Sequence, residues 1–174
     1  MSFRLITKSD IPAYQALLHN AYQMTTNLGI HFAAATVNDE QINHHIQSNA
    51  VYLFEKECKL VSTLSIRFPW GNNPGPYGLP HLGWFATDPK YKGQGYGNQL
   101  WDWVEQQILI NQLKLPAVTL GTAQNHPWLA QMYIKKGFSP IGQADLTEDH
   151  TTVYFEKIFN QKSYTEWKNR SHRQ

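Results

Sequence analysis

Three glycines, Gly93, Gly95 and Gly97, alternate in the run Asp88-Pro-Lys-Tyr-Lys-Gly-Gln-Gly-Tyr-Gly-Asn98. Glycine lets successive backbone N–H groups turn toward one point with no Cβ in the way. Such a nest, set at the positive end of a helix, is an anion site. Lys90 and Lys92 add positive charge beside it. A pyrophosphate is the natural occupant. Two other phosphate-binding readings fail on detail. A P-loop ends in Gly-Lys-Ser/Thr, whereas Gly97 is followed by Asn98 and Gln99. The dinucleotide fingerprint needs Gly-x-Gly-x-x-Gly in an early βαβ unit, and this chain has neither. The bland alternative is a turn that only joins a strand to a helix.

The flanking elements sharpen the choice. His81–Thr87 reads as a strand stopped by Asp88-Pro89, and from Gly95 to Asn111 the residues Tyr96, Leu100, Trp103, Val104 and Ile108 share one helical face. Upstream, Phe3–Thr7 alternates as a first strand, and Ser9 or Asp10 caps a helix through Tyr22 with Pro12 in its first turn. Thr36 or Asn38 caps a more polar second helix carrying Ile42 and Ile46. Ala50–Glu55 and Leu60–Arg67 form a hairpin across the short polar Lys56–Lys59. A loop rich in Gly, Pro and Asn spans Trp70–Pro80, a length that tends to carry function. Pro116–Gly121 is a strand, Pro127 starts a helix that Gly137 ends, and Phe138–Gly142 and Thr151–Lys157 are the closing strands. The polar tail from Asn160 to Gln174 is expected to fray.

At 174 residues, with 41% hydrophobic and 16% charged, the composition is that of one globular domain over residues 1–159 with a tail over 160–174. A formal charge of +2 with no dense Lys/Arg stripe argues against nucleic acid. No apolar stretch approaches the ~18 residues of a membrane span. Met1–Asp10 lacks a signal-peptide core, and the single Cys58 rules out an internal disulfide, so a cytoplasmic protein is expected. Adjacent His44 and His45 face different sides of a helix with no His-x-x-x-His pair, so no metal is expected.

The run from Phe85 to Gly97 resembles motif A of the GNAT superfamily of N-acetyltransferases, Gln/Arg-x-x-Gly-x-Gly/Ala after a strand. Lys92 stands where Arg or Gln is usual, which keeps the charge and loses the planar fork. Downstream, Asn125-His-Pro-Trp-Leu-Ala130-Gln-Met-Tyr133-Ile-Lys-Lys-Gly137-Phe138 resembles motif B of the same family. The order of elements also follows the family, so the resemblance covers nearly the whole chain. It implies an α/β fold of the GNAT kind: a mixed, mostly antiparallel sheet of about seven strands, about four flanking helices, and a splayed strand pair at the cofactor site.

The resemblance further implies an acetyl-CoA-dependent N-acetyltransferase that moves the acetyl group to a primary amine by direct attack in a ternary complex. Backbone groups of Phe85 and Thr87 would pair with the pantetheine arm. The amides of Gly93, Gln94, Gly95, Tyr96, Gly97 and Asn98 would hold the pyrophosphate, with Lys92, Asn125 and Ala130 nearby. Lys90, Lys92, Lys135 and Lys136 are candidates for the 3′-phosphate. An N–H near Ala86 would polarise the thioester carbonyl. Tyr133 falls at the general-acid position and, with an ordinary pKa of about 10, is protonated at neutral pH. His81 is the candidate base, Glu55 its rival, and ordered water a third route. Cys58 lies in a polar turn, which favours direct transfer over an acyl-cysteine intermediate.

The acceptor, a small-molecule or peptide amine, would be met by parts outside both motifs: Tyr22, the loop Asn27–Phe32, and the aromatics Trp70, Tyr77, Trp84 and Trp128. A non-catalytic acyl-CoA-binding module and a structural protein that self-associates are the competing readings. A homodimer is left open.

Overall fold

The computed structural model describes residues 2–126 and 128–172. In chain order the elements are β1 (Ser2–Leu5), α1 (Ile11–Asn27), α2 (Asp39–Ser48), β2 (Ala50–Lys56), β3 (Lys59–Arg67), β4 (His81–Thr87), α3 (Tyr96–Trp103), β5 (Ala117–Ala123), α4 (Leu129–Lys135), β6 (Ser139–Ala144), β7 (Thr152–Ile158) and α5 (Gln161–Ser171). Short 3₁₀ turns precede α1, α2 and α3. The strands form one sheet in the order β1-β2-β3-β4-β5-β7-β6. Every neighbouring pair is antiparallel except β4 and β5, which are parallel.

Alternation along the strands sorts the core into two faces. Tyr52, Phe54, Leu64, Ile66, Leu82 and Leu120 pack with Leu100 and Trp101 of α3 and Tyr133 of α4. Val51 and Leu53 point the other way, onto Tyr14, Leu17 and Leu18 of α1 and Ile42 of α2. Each such fully buried aliphatic side chain contributes ~1.5–3 kcal/mol over exposure, so the two helix layers hold the sheet from both sides.

Local chemistry sets the ends of the elements. Of the two expected caps for α2, Asn38 does the work: its side chain accepts from Gln41 N at 2.8 Å, and Gln41 Oε1 accepts from Asn38 N at 2.9 Å. Asp10 does not cap α1 through its side chain. That carboxylate turns back to accept from Thr7 N at 2.7 Å and pairs with Arg4 at 2.7 Å. The β2–β3 turn places Glu57 and Cys58 at φ 51° and 62°, the left-handed pair that matches strand twist in a two-residue hairpin. The helix expected to Asn111 changes character at Val104 and continues to Gln112 as a π-helix, with Leu113 N bonded to Ile108 O at 2.8 Å.

The C-terminal segment corrects the sequence reading. Gln161–Ser171 is helical, giving a fifth helix where fraying was expected. Asn160 caps it by accepting from Ser163 N at 2.9 Å. Tyr164 is buried, packs with Leu79 and Ala117 together with Trp167, and donates its hydroxyl to Glu156 at 2.9 Å. Two aromatics at i and i+3 are a weak pattern in a polar stretch, and their partners come from far up the chain.

One irregularity positions everything that follows. Thr63 pairs with Ala86 and Ser65 with Gly83, so Trp84 and Phe85 together oppose Leu64: a β-bulge in β4. Trp84 sits at φ 47°, unusual for a bulky residue, and its ring stacks on His45 at 3.9 Å. Beyond it, β4 and β5 pair only at His81↔Thr119 and Leu82↔Leu120, then diverge. The expected splay is present.

Candidate active site

Where β4 and β5 part, a cleft of about 580 Å³ opens. Its floor is the stretch of β4 from His81 to Thr87. One wall is the end of α1 with the loop that follows, including Tyr22, His31 and Phe32; the other is α4, which presents Leu129, Met132 and Tyr133. The β6–β7 loop closes the far end with Leu146, Thr147 and His150. That loop is latched across the cleft by Asp149, which accepts from His31 N at 2.8 Å and faces His31 Nδ1 at 3.1 Å.

Beside the floor lies the glycine cradle. Gly93 and Gly95 have φ of 81° and 80°, and a Cβ at either would meet nothing within 4 Å, so the space in front of them is open. At Gly97 a Cβ would stand 2.7 Å from Thr87 Oγ1 and 3.2 Å from the Phe85 ring, so glycine lets α3 approach the strand. The first bond closing α3 runs from Gln99 N to Gly95 O at 3.0 Å, which leaves the amides ahead of it with no helical acceptor. Lys92 lines the cleft. Lys136 donates to Asn98 Oδ1 at 2.8 Å and is thereby placed at the cradle, with its pKa lowered by burial. An open nest flanked by two lysines fits a diphosphate.

Tyr133 is 8% exposed and lies against Trp101, Phe138 and Phe155 while lining the cleft. Burial pushes its hydroxyl well above the ordinary tyrosine value, so it stays protonated. The Phe85 carbonyl, expected to receive the pantetheine, already accepts the Tyr22 hydroxyl at 3.2 Å. Its second lone pair remains for another donor.

His81 is 4% exposed, with Nδ1 2.7 Å from Thr119 Oγ1 and its ring covered by the loop at Gly75, where a Cβ would stand 2.7 Å away. Burial, and then the charge of Arg67, lower its pKa to about 3. Its imidazole is therefore neutral at physiological pH and a weak proton acceptor. Glu55 is not brought to the cleft: it pairs with Arg4 at 3.1 Å on the far side of the sheet's β1–β2 edge. Asn125 lies exposed in the turn before α4, and Ala130 packs into the core beside Tyr133; neither lines the cleft. Pro127, expected to start α4, lies outside the described residues. Among the expected aromatics, Tyr22, Trp84 and Trp128 line the cleft, while Trp70 stands 77% exposed against Phe68 and Tyr77 packs on Tyr154.

Several contributors escaped the sequence reading, among them Arg67, Thr122, His126 and the β6–β7 loop. Only Arg67 carried a signal, a charge ending a strand whose other residues are nearly all buried. Among the described residues no aspartate or glutamate lines the cleft, and Arg67 and Lys92 are its only lysine or arginine side chains. Nor does any group of three or more His, Cys, Asp or Glu stand ready for a metal among those residues. No helix among the described residues is long and apolar enough to cross a membrane.

Residues 19–157 match the family model for the acetyltransferase (GNAT) domain. This chain belongs to the GNAT acetyltransferases. It is 43% identical over 155 residues to the S-(2-succino)cysteine N-acetyltransferase of Bacillus subtilis, covering 89% of this chain and 94% of that one. It is 40% identical over 137 residues to the S-alkylcysteine N-acetyltransferase of the same organism, covering 78% and 77%. Among solved structures, an aminoglycoside N-acetyltransferase complexed with coenzyme A superposes with a TM-score of 0.62 at 13% identity, over 91% of this chain and 97% of that one. The last likeness is one of fold. As a GNAT member the protein is an acyltransferase, and its mixed sheet with the β4–β5 splay is the fold of that family.

Proposed function

We propose that this protein uses acetyl-CoA to acetylate the amine of a small S-substituted cysteine or a close analogue, by direct attack within a ternary complex. The observation that carries the reading is the bulged, splayed end of β4, which runs from the glycine cradle straight past Tyr133. The two cysteine-conjugate acetyltransferases at 40% identity or more support the acceptor class.

The amides from Gly93 to Asn98 hold the diphosphate, with Lys92 and Lys136 as charge partners. The unpaired edge of β4 takes the pantetheine arm as an added strand. Acetyl-CoA supplies the activated thioester. A backbone N–H of β4 near Ala86 polarises its carbonyl, a donor of a kind worth ~2.7–4 kcal/mol. As the N–C bond forms and the C–S bond breaks, Tyr133 gives its proton to the departing sulfur. The acceptor ammonium gives up one proton to water before it attacks, and the second proton shed as the amide forms returns through water to Tyr133, so one proton is released per turnover. His81 is too hard to protonate to be an efficient base, and no carboxylate on the described cleft wall competes for the role. Exposed Cys58, in the β2–β3 turn, takes no part.

A steady-state thiol-release assay with acetyl-CoA and a panel of S-substituted cysteines, other amino acids and polyamines tests the proposal. Turnover with the cysteine conjugates and saturable acetyl-CoA binding are expected. Binding without turnover on any cysteine conjugate would sink the acceptor assignment, and the absence of coenzyme A binding would sink the whole reading.

A further inference from the structure

Arg67 ends β3 opposite His81 on β4, on the wall of the cleft. Its Nε is shut off from solvent and has no hydrogen-bond partner among the described residues. The neighbours that sense it are His81, His45 and Tyr154, and none of them is an anion at neutral pH. Among the described residues no ion pair involves Arg67. Keeping a guanidinium half-buried without a counter-ion costs desolvation that nothing within the described protein offsets. Packing does not require an arginine there, since a leucine or methionine would fill the space without the cost. A charge retained at such expense, facing a cleft free of aspartate and glutamate, is complementary to an anion that arrives with the substrate.

Position supports the same conclusion. The bulge at Trp84 lies three residues along β4 from His81, about 10 Å at 3.3 Å per residue. The reach of an arginine plus the short span from carboxylate to amine in an amino acid covers that gap. Burial and, after it, the charge of Arg67 lower the pKa of His45, which stacks on Trp84, so that charge is felt on the bulge side.

The geometry points to Arg67 as a specificity-determining residue that binds the free carboxylate of the acceptor and sets its amine beside the bulge. The acceptor is therefore a zwitterionic amino acid with its carboxylate unblocked, and polycations such as spermidine are rejected because no acidic side chain on the described wall replaces their counter-ions. The inference rests on the proposed acetyl transfer for its chemistry but not for its detection.

The test compares S-methylcysteine with 2-(methylthio)ethylamine, which lacks only the carboxylate, in the full-length protein and in Arg67→Gln and Arg67→Lys. The wild type should prefer the amino acid by about 100-fold in kcat/KM. Arg67→Gln should erase that preference by losing on the amino acid alone, Arg67→Lys should restore part of it, and acetyl-CoA affinity should be unchanged in both. Equal use of the two amines by the wild type, or an equal loss on both in Arg67→Gln, would overturn the subsite. Calorimetry with N-acetyl-S-methylcysteine and its decarboxylated counterpart, in the presence of coenzyme A, reads the same preference without turnover. If no cysteine conjugate is acetylated, the proposed function falls, while this binding comparison still decides Arg67: a preference that disappears in Arg67→Gln upholds it, and equal affinities do not.

Discussion

The donor half of the cleft and the acceptor half are built in opposite ways. The donor half comes from short contiguous stretches, β4 with the cradle through Asn98 and α4 with Tyr133, and it presents chiefly backbone: open amides, a bulge, an unpaired strand edge. The acceptor half gathers Arg67 from β3, His31 from the loop after α1, and Leu146, Thr147 and His150 from the β6–β7 loop, and it presents side chains. On the proposed reading a site made of main chain tolerates Lys92 in place of a planar residue, because the amides and not the side chain would carry the binding. A site made of side chains changes its ligand with each substitution. The proposal therefore puts specificity in the half drawn from distant parts of the chain.

That contrast can be broken in order of effect. Gly95→Glu puts a charged side chain at φ 80° in front of the nest, and acetyl-CoA affinity should fall more than ~100-fold. Gly95→Ala meets open space, so it should show only the milder strain of a left-handed alanine. Titration calorimetry checks both; retained affinity in the glutamate variant would end the cradle assignment. Tyr133→Phe should lower kcat ~100-fold with acetyl-CoA affinity unchanged, which stopped-flow or steady-state thiol release would read. A parallel loss of cofactor affinity would instead make Tyr133 a packing residue.

The fold should also be acid-sensitive through two buried histidines, one on β4 and one stacked against it. Burial holds His81 and His45 at pKa values of about 3 and about 4, below the ordinary 6.5. Between those values and 6.5 the unfolded chain binds protons that the folded chain refuses, so stability is full above about pH 6.5 and declines as pH falls. Each histidine contributes roughly 1 kcal/mol per pH unit over that window. The thermal midpoint should drop from pH 6.5 to 4, and His81→Asn should flatten part of the slope; an unchanged slope would show that His81 is not held neutral. Smaller still, Asp149→Asn should loosen the latch to His31 and raise the acceptor KM several-fold while leaving acetyl-CoA KM alone. Cys58→Ser, exposed in the hairpin turn, should change neither.

The sheet, its helices and the cradle were legible because their signals are local: alternation in Ala50–Arg67, glycines at fixed spacing, an amphipathic run after them. The exceptions share one cause. The π-helical stretch from Val104, the bulge at Trp84 and the folding of α5 onto Leu79 and Ala117 depend on partners distant in sequence. Glu55 looked like a base because a carboxylate ends a strand, and only the sheet's edge shows that Arg4 claims it.

By itself the amino-acid order determined the fold family and pointed to the proposed donor cradle and Tyr133, because each is written in consecutive residues whose backbone preferences and periodicity act over a few positions. The tertiary structure alone decided what faces the acceptor. It buried His81 until it could no longer take a proton at neutral pH, kept aspartate and glutamate out of the described wall, and left Arg67 with no ion-pair partner among the described residues, since burial and charge pairing are properties of neighbours in space.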